Sequence, residues 1–161
     1  MGKIKSTTRR ALTTLICLSF SIITLSARTI EVGEGKAFSS ISAALHKAKA
    51  KDVVCIYGKK IYKERLTINK PITLKGVETP IIDGGQRGDV IKVNADNVTI
   101  EGLQIQNSAR SSQVDYCGVH VKDAQFVTVR NCVFRKNQFS VMFQNCKNGL
   151  IANNNISSNI T

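Results

Sequence analysis

The chain has 161 residues, of which 23 are Lys or Arg and 11 are Asp or Glu, so its formal net charge is +12. This length suits one domain, and 42% apolar with 21% charged residues excludes both a disordered and a collagen-like chain. The basic residues are scattered and have no aromatic residues among them, which argues against a nucleic-acid-binding protein.

The first 27 residues have the layout of an export signal. Residues 1–10 are basic without acidic residues, and residues 11–27 are uncharged, mostly apolar and end in Leu25-Ser26-Ala27. We therefore predict a signal peptide over residues 1–27, cleaved near Ala27, and a periplasmic or secreted domain over residues 28–161. An uncleaved membrane anchor is the alternative.

The start of the mature chain predicts a strand and then a helix. Residues 28–32 form the strand, and Ser39 or Ser40 can cap a helix that continues to about Ala50. One face of this helix carries the apolar residues Ile41, Ala44, Leu45 and Ala48. We expect the helix to cover the open end of a stack of repeats. Further strands are predicted at 52–57, 65–68, 71–75 and 80–82.

Three segments of the second half repeat one pattern without gaps: 97–107, 126–136 and 148–158. Ile100, Val129 and Ile151 are equivalent, and Gly or Asn stands where a tight corner needs left-handed backbone. Residues 118–121 and 140–143 form a further strand motif, at a constant interval before the last two segments. The period is about 22 residues, and no helix separates the strands.

This period predicts an all-β fold, a parallel β-helix with a short amino-terminal capping helix. Alternation along each strand sends every second side chain into the core, and successive coils are expected to stack about 4.8 Å apart. A β-sandwich is the alternative, but its hairpins would not repeat one register at this spacing.

Several motifs resemble the start of NosD proteins: Asp52-Val-Val-Cys-Ile, Tyr62-Lys-Glu64, Ile68-Asn-Lys-Pro-Ile-Thr-Leu-Lys-Gly76, Pro80-Ile-Ile-Asp-Gly84 and Asp96-Asn-Val-Thr-Ile-Glu-Gly-Leu103. NosD is a family of periplasmic right-handed β-helix proteins required for maturation of nitrous oxide reductase. The resemblance therefore implies a right-handed single-stranded parallel β-helix. The resemblance covers residues 28–161. Its later part is shared with the carbohydrate-binding and sugar-hydrolase repeats of pectin-degrading enzymes, so it implies a pectin-lyase-like fold.

The resemblance also implies a function and partners. It implies an accessory or binding module rather than an enzyme, working beside an ABC transporter to assemble the copper-sulfur centre of a client reductase. Copper is implied by the resemblance alone. NosD-like chains have more coils, and Lys51-Asp52 stands where the family usually has Gly-Asp. We therefore expect this chain to lack carboxyl-terminal coils, with end-to-end self-association or the absence of an independent function as alternatives.

The metal donors are few, and the strand pattern separates them. His46 lies off the apolar helix face, and His120 should point outward between two valines. Thiolate and imidazole suit copper, but alternation turns Cys117 inward with Val119. We therefore predict that Cys117 and His120 face opposite sides of their strand, and we assign no catalytic, cofactor or metal site. Two disulfides could form, in three pairings, among Cys55, Cys117, Cys132 and Cys146.

The rival class is a polysaccharide-binding or polysaccharide-acting β-helix, such as a lyase, epimerase or hydrolase of uronic acid polymers. A hydrolase needs two carboxylates at a defined separation. The available acids and basic partners are Asp83, Asp89, Asp115, Arg110 and Arg130. Asp83 and Asp89 are interpreted as turn aspartates. No catalytic motif of these enzymes is recognised in the chain.

Overall fold

In the computed structural model, which describes residues 27–157, short strands follow one another around three faces. One helix, α1 (Ile41–Lys47), lies near the start. The strands are β1 (Thr29–Val32), β2 (Val53–Tyr57), β3 (Ile61–Tyr62), β4 (Leu66–Ile68), β5 (Thr73–Val77), β6 (Ile81–Asp83), β7 (Ile91–Val93), β8 (Thr99–Glu101), β9 (Gln104–Gln106), β10 (Cys117–Lys122), β11 (Thr128–Arg130), β12 (Val133–Arg135), β13 (Phe139–Gln144), β14 (Leu150–Ala152) and β15 (Asn155–Ser157).

The strands form three parallel sheets, one on each face of the coil. The sheet orders are β1-β2-β5-β8-β11-β14, β13-β10-β7-β4 and β15-β12-β9-β6-β3. Every strand pairs with the strand one coil before or after it, and all these pairings are parallel. The predicted parallel β-helix is confirmed, and the β-sandwich alternative is excluded.

The repeats stack in the predicted register. Ile100 pairs with Val129, and Val129 with Ile151, at offsets of 29 and 22 residues. Ile105 and Phe134 stack in the same way and are fully buried. Val119, Val121, Val127, Val129 and Cys132 are also buried, as the alternation predicts. The core is therefore a set of apolar columns that run along the axis of the β-helix.

Each complete coil of the described residues contains three strands. Every aligned segment supplies two of them, with a corner in its middle. The corner residues Gly102, Asn131 and Asn153 have φ values of 71°, 53° and 54°. Glycine and asparagine tolerate this left-handed backbone better than other residues. The sequence pattern thus located the corner. The short strand β3, which is the equivalent of β9 in the first coil, was not predicted.

Asparagine side chains also satisfy corner backbone groups of the preceding coil. Asn154 accepts the Cys132 N–H at 2.8 Å and donates to the Val129 carbonyl at 2.9 Å. In the next column, Asn137 accepts the Ser108 N–H at 3.1 Å and donates to the Ile105 carbonyl at 3.0 Å. These bonds pair backbone groups that corners leave outside the sheet ladders.

Helix α1 begins where predicted and ends earlier. Ser40 caps its first turn, and Glu64 accepts the N–H groups of Ile41 and Ser42 at 3.0 and 2.8 Å. The helix ends at Lys47, where the Lys70 ammonium group donates to the carbonyls of Leu45, His46 and Ala48 at 3.3, 3.1 and 2.7 Å. The buried residues Ile41 and Ala44 cover the first coil, which confirms the capping role.

The predicted signal peptide lies outside the described residues, apart from Ala27. Among residues 27–157, no helix is both long enough and apolar enough to span a membrane.

Replacing Asn131 with Leu should lower the free energy of unfolding by about 1 kcal/mol, because a branched apolar residue tolerates its left-handed backbone poorly. Asn131→Gly should stay close to the wild type and serves as the control. Urea unfolding measures both. Equal stability of the Leu variant would contradict the strained corner.

Glu64→Gln should remove part of the pH dependence of stability. Burial raises the pKa of Glu64, but hydrogen bonds from Ser42, Ile41 and Ser40 outweigh burial and hold it below its ordinary value of 4.5. Ionised Glu64 therefore stabilises the fold above its unfolded pKa, and this contribution is lost as pH falls through the lower folded pKa.

Thermal unfolding from pH 7 to pH 3 measures this effect. At pH 7 the Gln variant should be less stable by about 1.5 kcal/mol, the scale of a hydrogen bond to a charged group. The difference should shrink as the wild-type carboxylate is protonated. A difference that stays constant down to pH 3 would contradict the assignment.

Candidate metal site

The alternation of β10 breaks at Gly118. Val119 and Val121 point into the core. A Cβ built on Gly118 would lie 2.9 Å from a ring carbon of Phe134, which is fully buried, so position 118 also faces the core. Because residues 118 and 119 both face the core, the alternation before them is shifted by one residue, and residue 117 faces outward. Cys117 consequently lies on the same side of the strand as His120.

The prediction that Cys117 and His120 face opposite sides is therefore wrong. Cys117 is buried, as predicted, but it is not among the side chains of the hydrophobic core. The preceding coil bends in the same way, because Val90 and Ile91 are consecutive core residues. The sequence pattern missed this bend because it assumed alternation through a glycine that has no side chain to reveal its direction.

Asp89 joins the two side chains. Its Oδ1 accepts the Cys117 N–H at 2.8 Å, and its Oδ2 lies 3.2 Å from His120 Nδ1 and 3.6 Å from Lys92 Nζ. The ligand atoms of Asp89, Cys117 and His120 all lie within 4.8 Å of one another. Asp89 binds the next coil instead of its own turn, so its interpretation as a turn aspartate is wrong.

His120 has one nitrogen without a partner. Its Nε2 is buried, and it is the one such side-chain nitrogen or oxygen within residues 27–157 that lacks a hydrogen bond. When Nδ1 donates to Asp89, Nε2 carries a lone pair. A carboxylate that holds one imidazole nitrogen while the other binds metal is a frequent arrangement in metalloproteins. An unpaired buried nitrogen is otherwise costly.

The Cys117 thiol is protonated in the absence of a metal. Burial raises its pKa to about 12, and the charges of Asp89 and Asp115 act in the same direction. A thiol of this kind is a poor nucleophile, because only the thiolate reacts. Metal coordination deprotonates such a group, so the cluster suits metal binding better than covalent catalysis.

An open cavity of about 350 Å³ adjoins the cluster. Its lining includes Asp89, His120, Lys92, Tyr116 and Gln144. The loop of residues 107–116 forms one wall.

The Gln138 side chain holds this loop from the next coil. It accepts the Ser111 N–H at 3.2 Å and the Tyr116 N–H at 3.4 Å, and it donates to the Ser111 carbonyl at 2.8 Å. The wall beside the cluster is thus fixed by hydrogen bonds.

The residues proposed for polysaccharide chemistry do not form one site. Asp83 accepts the Gly85 N–H at 2.9 Å, which confirms its turn role, and it lies on the five-stranded sheet. Arg130 is paired with Glu101. Asp115 lines the cavity beside Asp89, while Arg110 is exposed on the loop.

Apart from Cys117, the cysteines and the second histidine do not belong to the cluster. Cys55, Cys117, Cys132 and Cys146 are all free thiols, so none of the three disulfide pairings is present among the described residues. His46 is exposed near the end of α1, as predicted.

The protein is thus a parallel β-helix in which three possible metal donors lie together. Sequence comparison identifies the family to which it belongs. A family model described as "Periplasmic copper-binding protein (NosD)" matches residues 50–161. The chain belongs to this family, which confirms the resemblance. Comparison with curated proteins gave no match.

Solved structures show the same fold. One is a pectin methylesterase mutant in complex with a hexasaccharide, with 17% identity and a TM-score of 0.59. Another is a pectin methylesterase in complex with a different hexasaccharide, with 18% identity and a TM-score of 0.58. Each alignment covers 80% of this chain and 54% of the other. The chain therefore spans about half the length of these structural relatives.

Gly118→Ala should destabilise the protein by about 2 kcal/mol, the usual cost of overpacking a core. The added carbon would lie 2.8 Å from the Ser140 carbonyl and 3.0 Å from Asn137 Nδ2. Lys122→Ala, at the exposed end of the same strand, should change stability by less than about 0.5 kcal/mol. Urea unfolding compares the two, and a fully stable Ala variant would show that position 118 does not face the core.

Proposed function

We propose that this chain is an exported accessory protein that binds copper and serves in maturation of the copper-sulfur centre of nitrous oxide reductase. It works beside an ABC transporter, and it holds copper for the client reductase or delivers copper to it. Copper is its cargo. Membership of the NosD family supports this proposal, because the family is described as periplasmic and copper-binding.

The observation that carries the proposal is the cluster of Asp89, Cys117 and His120. It lies within the matched segment, and its ligand atoms are within 4.8 Å of one another. Thiolate and imidazole are ligands that suit copper. The buried, unpartnered Nε2 of His120 supports a ligand at this position.

The polysaccharide alternative has less support. A row of polar side chains on the five-stranded sheet offers groups that could contact a sugar. Those groups are already bonded to one another, with Gln106 donating to Asp83 at 2.8 Å and Gln104 to Gln106 at 2.7 Å. The pectin methylesterase likeness supports only the fold at these identities.

The proposal is tested in the source organism. One strain carries the site variant Cys117→Ser, His120→Asn and Asp89→Asn in the native gene. A control strain carries Cys146→Ser and His46→Asn. We expect the site variant to accumulate nitrous oxide reductase with reduced copper content and activity, while the control strain matches the wild type. Copper analysis and nitrous oxide consumption provide the readouts. A copper-replete, active reductase in a strain lacking the gene would refute the function.

A further inference from the structure

We propose that Met142 supplies a thioether next to Cys117 and His120, and that the resulting site binds one monovalent copper ion. This inference deepens the proposed copper-binding function and rests on it. It adds a ligand from the next coil, Met142, and it specifies the oxidation state of the bound copper.

The register between β10 and β13 places Met142 beside His120. The two strands are parallel, and His120 pairs with Met142 while Val119 pairs with Val141 and Val121 with Phe143. Paired residues of parallel strands are about 4.8 Å apart and point to the same side.

The flanking residues fix which side that is. Val119 and Val121 are in the core, and Val141 and Phe143 pack against it. His120 and Met142 therefore both project outward. Met142 is half-buried.

Methionine is suited to complete the cluster. Its unbranched side chain has three rotatable bonds and a polarizable sulfur, so it adapts to a neighbouring site. Met142 is the one methionine within residues 27–157. It stands on the other side of His120 from Lys92, which pairs with His120 from the preceding coil.

The donor set selects a soft ion. A thiolate, an imidazole and a thioether favour Cu(I), whereas Ca²⁺ and Mg²⁺ require oxygen ligands. Zn²⁺ accepts the thiolate and imidazole but gains little from a thioether. Met142 therefore discriminates between Cu(I) and Zn²⁺, while Cys117 and His120 serve both ions.

Charge balance also favours a monovalent ion. Asp89 is 5% exposed, and Lys92 compensates its charge at 3.6 Å. Binding replaces the S–H bond of Cys117 with a metal–sulfur bond and releases the proton to solvent, with no electron transferred. A thiolate with Cu⁺ is neutral, whereas a divalent ion would leave a net positive charge in a largely buried site, which is unfavourable.

The test uses the exported full chain under anaerobic, reducing conditions. Cu(I) affinity is measured by competition with a chromophoric Cu(I) chelator, and Zn²⁺ affinity by competition with a zinc indicator. The variants are Met142→Leu, which keeps the side-chain size, and Cys117→Ser. Cys146→Ser is the matched control for loss of a sulfur from a half-buried residue nearby.

We expect Met142→Leu to weaken Cu(I) binding by about tenfold or more, the scale of changes around a metal site, and to leave Zn²⁺ affinity unchanged. Cys117→Ser should weaken binding of both ions, and Cys146→Ser neither. X-ray absorption of the Cu(I)-loaded wild type should show two sulfur ligands, independently of any variant.

Two results would contradict the inference without contradicting the proposed function. One is Cu(I) binding that Met142→Leu leaves unchanged, with a single sulfur ligand. The other is a Cu(I) affinity that Cys117→Ser leaves unchanged, which would place the copper elsewhere. A wild-type chain that binds no copper in either oxidation state would refute the proposed function itself.

Discussion

Parallel stacking in register is the constraint on which the structure depends. Because each strand bonds only to its neighbours one coil away, a side chain meets residues 20 to 30 positions distant in sequence. The same rule builds the core and the candidate site. Ile100, Val129 and Ile151 form an apolar column, and outward-facing Lys92, His120 and Met142 form a second column. A change in one coil therefore acts on its two neighbours first.

Sequence reasoning reached the fold because its main signal is periodic. The repeats at 97–107, 126–136 and 148–158 fixed both the register and the corner residues, since apolar alternation and left-handed corners are local properties. The helix cap was also readable from Ser40. The end of the helix at Lys47 was not readable, because the Lys70 ammonium group that binds the carbonyls there comes from the turn between β4 and β5.

The site was missed because it depends on a break in the same periodic rule. Gly118 faces Phe134, and only the three-dimensional structure reveals the direction of a residue without a side chain. A signal for Asp89 did exist. The strand motif at residues 91–93 aligns with 119–121, and this alignment places Asp89 opposite Cys117. The buried carboxylates of Asp52 and Asp89 both have hydrogen-bond partners, but His120, which contacts Asp89, keeps an unpaired nitrogen.

The loop of residues 107–116 accounts for the one long coil of the repeat region. Ile105 and Phe134 are 29 residues apart, whereas Val119 and Val141 are 22 apart, and the difference lies in the segment between β9 and β10. The strands on either side keep their pairing despite the insertion. A solenoid can thus gain one wall of a cavity by lengthening a single turn, with its scaffold unchanged. A change of loop length in this one coil would then alter the cavity while the framework of stacked strands stays the same.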